Sequence, residues 1–324
     1  MMPLITIAIP TFNRRDELLE RVHEINNLKR ELNVLILDNH SAYSVNEILE
    51  ATEFSKNKIK YIRNNFNIGA PANILRCLEF CETKYIWVIS DDDPLDLVNV
   101  NKAIEIVYQN QHISYFNFGE HNLNRGLINH IGNGVDEYIS LVKTYSNCIL
   151  PANSIFDNNQ LLKNLDLIYH YNSSMCPQFI SSLVLINDPN NYFYLSNINV
   201  VHTNQLLNDR VQWSYLMGYA GFDFILSSPL LSPLASKKIR QLIYSSLPKA
   251  HVLIASIAIL SFKNNKRHNY FSLLRYISRK SPLNIKVACY ISICIIFSPN
   301  LFISLLNYII MKVEGRTIKV GIPL

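Results

Sequence analysis

The sequence predicts an α/β fold with a mainly helical C-terminal extension, and three observations predict it. Over the first 120 residues, short apolar runs alternate with amphipathic helical patterns, the signature of parallel βαβ units. The apolar runs end on polar, turn-forming residues, as at Pro10 and Asp38. From Val211 onward the pattern is mostly helical.

The elements follow in order. Leu4 to Ile9 reads as a strand ending at Pro10, and Arg14 to Leu28 as a helix with Leu18, Leu19, Val22 and Ile25 at helical spacing. Val34 to Leu37 is a buried strand closed by Asp38, Val45 to Ala51 a short helix, and Ile59 to Ile62 a third strand. Pro71 to Cys81 is a helix whose proline stands at the start, where a missing N–H costs nothing. Tyr85 to Ile89 is the fourth strand and runs straight into Ser90-Asp91-Asp92-Asp93-Pro94. Beyond it the pattern loosens, and nothing is assigned between Pro94 and Ile113. Ile113 to Phe118 reads as a strand, Asn122 to Gly134 as a polar loop, and Tyr138 to Tyr145 and Asn158 to Tyr169 as helices around a short strand, Ser154 to Phe156. Pro177 opens a helix through Leu185, followed by a turn at Asn187-Asp188-Pro189-Asn190 and strands near Tyr192 to Val201. No internal repeat interrupts this order.

Charge divides the chain sharply. Of its 30 Lys and Arg and 25 acidic residues, Ser236 to Leu324 holds 14 basic residues and one acid, Glu314. The net charge of +5 therefore conceals an acidic body and a strongly basic tail. That tail is also the most apolar part, which favours a membrane surface as its anionic partner over nucleic acid. Val287 to Met311 carries no charge but is interrupted by Pro299 and Asn300, so three forms stay open: a pair of short helices on the membrane, a buried hairpin, or a span. The six cysteines, at 77, 81, 148, 176, 289 and 294, lack metal-ligand spacing and read as reduced, buried thiols of a cytosolic protein. No charged-then-apolar leader precedes the first strand, so no secretory signal is expected.

Three polar segments fall at the C-terminal ends of predicted strands, the edge where open parallel sheets bind ligands. They are Pro10-Thr11-Phe12-Asn13-Arg14, Asp38-Asn39-His40-Ser41 and the aspartate triplet. The first two are also common as a helix cap and a turn. The triplet is harder to explain as structure: three adjacent carboxylates repel one another unless a cation or strong donors lie against them. A divalent ion bound by oxygen ligands and bridging to phosphates satisfies that demand. Asn65-Phe66-Asn67-Ile68-Gly69-Ala70-Pro71 is a turn-rich loop whose N–H groups, at a helix start, suit an anion.

Together these segments resemble the family 2 glycosyltransferases of GT-A (Rossmann-like) fold. The match is carried by Ile7 to Arg14, Leu35 to Ser41, Asn67-Ile68-Gly69 with Asn73, and Tyr85 to Asp93, in the same order and spacing. The resemblance implies a nucleotide-diphosphate sugar donor, bound by Pro10, Thr11, Asn13, Asp38, Asn67, Gly69 and Asp91. In that scheme Asp38 bonds the base and Asp91 approaches the ribose. Asp92 and Asp93 would hold Mn²⁺ or Mg²⁺ on the diphosphate. Many members carry an acidic pair at a helix start in the acceptor half. Here that place reads Ser173-Ser174-Met175-Cys176-Pro177-Gln178, without a carboxylate, and is similar to the O-antigen branch that transfers unusual deoxysugars (abequosyltransferase-like). Asp166, His170, Asp188 and His202 remain candidate bases, and the catalytic base is left unassigned.

The expected organisation is a nucleotide-sugar-binding half (1–120), an acceptor-binding half (121–235) and a membrane-associating extension (236–324). The expected function is transfer of a sugar to a lipid-linked saccharide in O-antigen or other surface polysaccharide assembly. The place is the cytoplasmic face of the membrane, with no nucleic acid involved. Two alternatives stand beside it. A nucleotidyltransferase would show a Gly-rich basic loop after the first strand, where only Pro10 to Arg14 stands. A catalytically degenerate scaffold is disfavoured by the intact triplet.

Overall fold

Ile5, Ile7, Ala8 and Ile9 have no exposed surface, because the strand they form lies in the middle of a sheet covered on both faces. In a computed structural model, the structure describes residues 3–50, 58–119, 129–144, 146–174, 176–202, 221, 224–246, 286, 287 and 290. The chain divides into two units: Met1–Val211 with Gly221–Ile243, and Gln212–Ala220 with Tyr244–Leu324. Nearly all described residues belong to the first.

That unit runs β1 (Ile5–Thr11), α1 (Arg15–Asn26), β2 (Asn33–Asp38), α2 (Val45–Glu50), β3 (Lys58–Arg63), α3 (Ala70–Phe80), β4 (Tyr85–Val88) and α4 (Leu97–Gln109). There follow β5 (Tyr115–Gly119), β6 (Asn129–Asn133), α5 (Val135–Leu141), α6 (Ser146–Ile149), β7 (Ser154–Asp157), α7 (Asn158–Leu161), α8 (Leu165–His170), α9 (Pro177–Asn187) and β8 (Tyr192–Asn199). A last helix, α10 (Pro233–Ser246), begins in this unit. Eight strands form one sheet in the order β3-β2-β1-β4-β7-β5-β8-β6. β1 to β4 are mutually parallel, with Thr11 in register with Asp38 and Asp38 with Arg63. β7 enters antiparallel between β4 and β5, and β6 closes the edge antiparallel to β8. Because β1 to β4 point one way, the segments after Thr11, Asp38, Arg63 and Val88 all emerge at the same edge.

Helix placement follows the buried stripes. α1 buries Leu18, Val22 and Ile25, and α3 buries Asn73, Leu75, Cys77 and Leu78 behind a cap at Gly69, whose φ of 87° suits glycine. α9 is buried along almost its whole length, from Pro177 to Ile186. Cys77, Cys81, Cys148 and Cys176 are buried free thiols, as expected; Cys289 and Cys294 lie outside the described residues.

The structure corrects four assignments. α4 fills the stretch left blank after the triplet, with Asp96 accepting the Asn99 N–H as its cap and Val100, Ala103, Ile104 and Val107 facing the core. Part of the expected polar loop, Asn129–Asn133, is the edge strand β6; its polarity reflects exposure at the sheet's rim. The helix expected over 158–169 is broken into α7 and α8 by a 3₁₀ turn at Leu162–Asn164. The helix expected from Tyr138 begins at Val135, just after Gly134, whose φ is 83°. Among the described residues no helix is long and apolar enough to cross a membrane, and the uncharged stretch 287–311 lies almost wholly outside them.

Candidate active site

The triplet sits on the turn after β4, against the ends of β1 and α1. Thr11, the last residue of β1, donates its hydroxyl to Asp91 Oδ2 at 2.7 Å. The Arg14 guanidinium reaches both neighbours through one nitrogen, Nη1, which lies 2.8 Å from Asp91 Oδ1 and 2.7 Å from Asp92 Oδ2. Two carboxylates thus converge on one cationic point. Asp92 also accepts a short hydrogen bond from the Ser90 hydroxyl.

Electrostatics follow from this packing. Burial pushes the Asp91 carboxyl up, against the pull of Arg14 and the Thr11 hydrogen bond. Burial lowers the Arg14 guanidinium, but Asp91 and Asp92 more than offset that and hold it above its ordinary value. The Asp93 carboxyl, burial first and Asp92 next, is pushed up to about 7. The opposing cations are Arg21 and then Arg14; Arg21 is buried on the core face of α1 and paired with Glu24, whose Oε2 also accepts the Leu95 N–H at 3.2 Å. Sequence reading assigned no role to Arg21. Its signal was a charge inside the stripe formed by Leu18, Val22 and Ile25.

The first loop is stitched to the second. Asn13, in the left-handed region at φ 54°, donates its N–H to Ser41 Oγ at 2.9 Å and accepts the Ala42 N–H at 2.8 Å. Asp38 is fully buried and engaged through both oxygens. Oδ1 accepts the Ser41 N–H at 2.8 Å, and Oδ2 accepts Arg63 at 2.7 Å and the Tyr61 hydroxyl at 3.3 Å.

Asparagines then bind the second loop to the third. Asn39 donates to Asn67 Oδ1 at 2.8 Å, and its own oxygen accepts the Ile68 N–H at 2.9 Å and Asn64 Nδ2 at 3.0 Å. Asn67 Oδ1 also accepts the Gly69 N–H, while Asn73 links Asn64 to the Leu37 carbonyl. Pro10, Thr11, Asn13, Asp38, Asn67, Gly69 and Asp91 to Asp93 are therefore gathered at one edge of the sheet.

Across the sheet, Gln178 on the first turn of α9 is buried, with its amide bonded to the Ile149 carbonyl. Of the four candidate bases, His202 lies beside the triplet's loop: its N–H donates to the Pro94 carbonyl at 2.9 Å, next to the Leu95–Val201 bridge. Asp188 instead closes a turn through the Asn190 N–H.

The family model described as "Glycosyl transferase family 2" matches residues 6–173, a stretch that runs from β1 past α8 and includes the triplet. The chain belongs to glycosyl transferase family 2. Among its curated relatives, abequosyltransferase RfbV of Salmonella typhimurium is 32% identical over 96 residues, 28% of this chain and 29% of that protein. The GalNAc(5)-diNAcBac-PP-undecaprenol beta-1,3-glucosyltransferase of Campylobacter jejuni is 26% identical over 96 residues, 29% of this chain and 31% of that protein. The matches therefore span under a third of either relative's length. Among solved structures, S. aureus TarS 1–349 in complex with UDP-GlcNAc superposes with a TM-score of 0.58 at 13% identity, covering 99% of this chain and 95% of that one. Mannosyltransferase PcManGT from Pyrobaculum calidifontis, in complex with GDP-Man and Mn²⁺, gives 0.54 at 9% identity, covering 98% and 89%. At such identities the likeness is one of fold, and the fold is that of the GT-A glycosyltransferases.

Whether the residues of this family 2 site fit a divalent ion is a question of donor chemistry. Among the described residues no group of three or more His, Cys, Asp and Glu side chains could by itself hold a metal. A site completed by phosphate oxygens and water needs only one or two carboxylates. The Asp92 carboxylate, part exposed and already facing a cationic nitrogen, fits as one ligand of that kind of site.

Proposed function

We propose that this chain is a nucleotide-sugar-dependent glycosyltransferase moving a sugar from a nucleotide-diphosphate donor to a lipid-linked glycan acceptor, in O-antigen or other surface polysaccharide assembly. One observation carries the reading: the Asp91 and Asp92 carboxylates meet at one cationic point, at the edge where three further motif-bearing loops converge. Pro10, Thr11 and Asn13 would line the nucleoside, with Asp91 toward the ribose and Asn67 and Gly69 shaping the loop beside it, where the Ile68 and Gly69 N–H groups are taken up by Asn39 and Asn67. Asp38 would bond the base. Its 3.3 Å contact from Tyr61 is long for a hydroxyl donor and is the one a base N–H would replace. Asp92, with Asp93, would hold Mn²⁺ or Mg²⁺. The ion would stabilise negative charge building on the leaving diphosphate.

Residues 1–120 would bind the donor, 121–235 the acceptor, and 236–324 the cytoplasmic leaflet of the membrane where a lipid-linked acceptor resides. The relatives' printed names support this setting, since one is an undecaprenol-diphosphate glycan glucosyltransferase and the other an abequosyltransferase.

Asp92→Asn tests the core of the reading, because it removes charge while keeping shape. Turnover of the donor should fall by about 10²-fold or more, the scale of losing a main electrostatic contact to the transition state. Mn²⁺ binding by calorimetry should weaken with it. Near-normal turnover of this variant in chelator-treated buffer would sink the proposal.

A further inference from the structure

We infer that Arg21 and Glu24 are a positioning pair for the aspartate triplet: Glu24 anchors the backbone just past it, and Arg21 keeps Glu24 turned inward to do so. The inference rests on the metal-assisted transferase reading and deepens it. Neither residue stands in the loops that would touch the donor, so both would act through the triplet's turn.

A buried ion pair does not explain itself by stability, because the cost of taking two charges out of water offsets their attraction. Arg21 is 2% exposed and lies in the apolar stripe of α1 with Leu18, Val22 and Ile25. Its Nη1 donates to Glu24 Oε2, three residues further along the helix. Its Nε is buried and has no hydrogen-bond partner among the described residues. Glu24 therefore compensates Arg21, and the cation in turn draws the Glu24 carboxylate in from the surface.

What the pair does beyond pairing is set by the backbone at Leu95. Leu95 bridges Val201 in antiparallel fashion. The Pro94 carbonyl accepts the His202 N–H at 2.9 Å, and the Asp96 N–H donates to the Val200 carbonyl at 3.0 Å. In that pattern the N–H of the central residue points away from the paired segment, and the acceptor on that far side is Glu24 Oε2 at 3.2 Å. Upstream of the triplet, the Ile89 N–H donates to the Ala8 carbonyl at 2.9 Å. The turn from Ser90 to Pro94 thus hangs between two anchors, β1 at one end and α1 at the other. The same βα unit supplies Thr11 and Arg14 to Asp91 and Asp92. Burial and then Asp92 push the Asp93 carboxyl up, and Arg21 is the first cation pulling it back, so the pair lies within electrostatic reach of the triplet's last carboxylate. Groups that orient metal ligands from behind carry a share of the affinity themselves.

The test separates reach from charge, using the full chain titrated with Mn²⁺ by calorimetry, with and without UDP. Glu24→Asp keeps the charge beside Arg21 but falls short of Leu95 by one methylene. Its Mn²⁺ affinity should drop roughly 10-fold and its Leu95 amide should exchange with deuterium faster, while the thermal midpoint stays close to that of the wild type. Arg21→Met with Glu24→Gln removes both charges, leaves the net charge as it was and keeps an oxygen within reach of Leu95. Mn²⁺ affinity in this double variant should stay close to that of the wild type. Should aspartate still protect the amide, Arg21→Met with Glu24→Met removes the acceptor outright and should show the same drop. A Leu95 amide that exchanges faster with Mn²⁺ affinity unchanged would overturn the positioning role and leave the transferase reading standing. Wild-type protein that binds no Mn²⁺, with or without UDP, would remove both.

Discussion

At the scale of single residues, the site turns on how acidic charge is tolerated in a buried corner. Asp91 is enclosed, yet it keeps its place because Thr11 and Arg14 donate to its two oxygens. Removing one partner of a buried pair leaves the other charge uncompensated, and the part exposure of Arg14 dilutes that penalty through solvent screening. Arg14→Gln is therefore expected to cost about 1 to 2 kcal/mol of stability, read as a lower urea midpoint. Added Mn²⁺ should recover more of that loss than it adds to the wild type, since another cation then faces the same carboxylates. Equal metal effects on the two proteins would show that Arg14 and the ion do not share a site. The triplet itself was legible in the sequence, because adjacent carboxylates at a strand end announce a need for positive charge. The partners were not. Arg14 lies 77 residues from Asp91 in sequence, and Arg63 lies 25 from Asp38. Only the parallel register of β1, β2 and β3 with β4 brings them together.

At the scale of elements, four asparagines are the joinery of the sheet edge that carries the triplet. Asn39, Asn64, Asn67 and Asn73 connect the ends of β2 and β3 to the start of α3, Asn67 accepting through its oxygen and the other three amides donating and accepting at once. Asn73 is buried and satisfies both Asn64 and the Leu37 carbonyl, so Asn73→Ala strands a buried acceptor. A loss of about 1 to 3 kcal/mol is expected, measured by chemical denaturation, with weaker nucleoside diphosphate binding because the loop carrying Asn67 loosens. Unchanged stability would mean that the network is not holding the loop. The four parallel strands and the helices between them were readable because each carries one clear period. α4 was also written in the sequence, at Val100, Ala103, Ile104 and Val107 with Asp96 as its cap, but two asparagines along it, Asn99 and Asn101, blurred the pattern. β6 was not legible. An edge strand shows water one side of its backbone and need not alternate apolar with polar residues, so Asn129–Asn133 reads as loop until β8 pairs with it.

At the scale of the whole molecule, charge and apolarity coincide in residues 236–324, and the proposed membrane association is tested through that coincidence. Basic residues near an anionic bilayer contribute about 1 kcal/mol each, and Lys263, Lys266, Arg267, Arg275, Arg279, Lys280 and Lys286 fall within a short stretch. Attraction of that kind is reversible and weakens with salt, whereas apolar insertion from the uncharged run 287–311 would persist. A transferase whose acceptor is lipid-linked gains by dwelling where the acceptor lies. Full-length protein should therefore sediment with vesicles containing anionic lipid at low salt and be only partly released at high salt. Replacing Lys263, Lys266 and Arg267 by glutamine should reduce the low-salt binding markedly and leave the salt-resistant fraction in place. Uncharged vesicles should retain that same fraction and no more. Protein that stays in the supernatant beside anionic vesicles at low salt would instead assign the uncharged run to the protein's own core, and the basic residues to a solvated face.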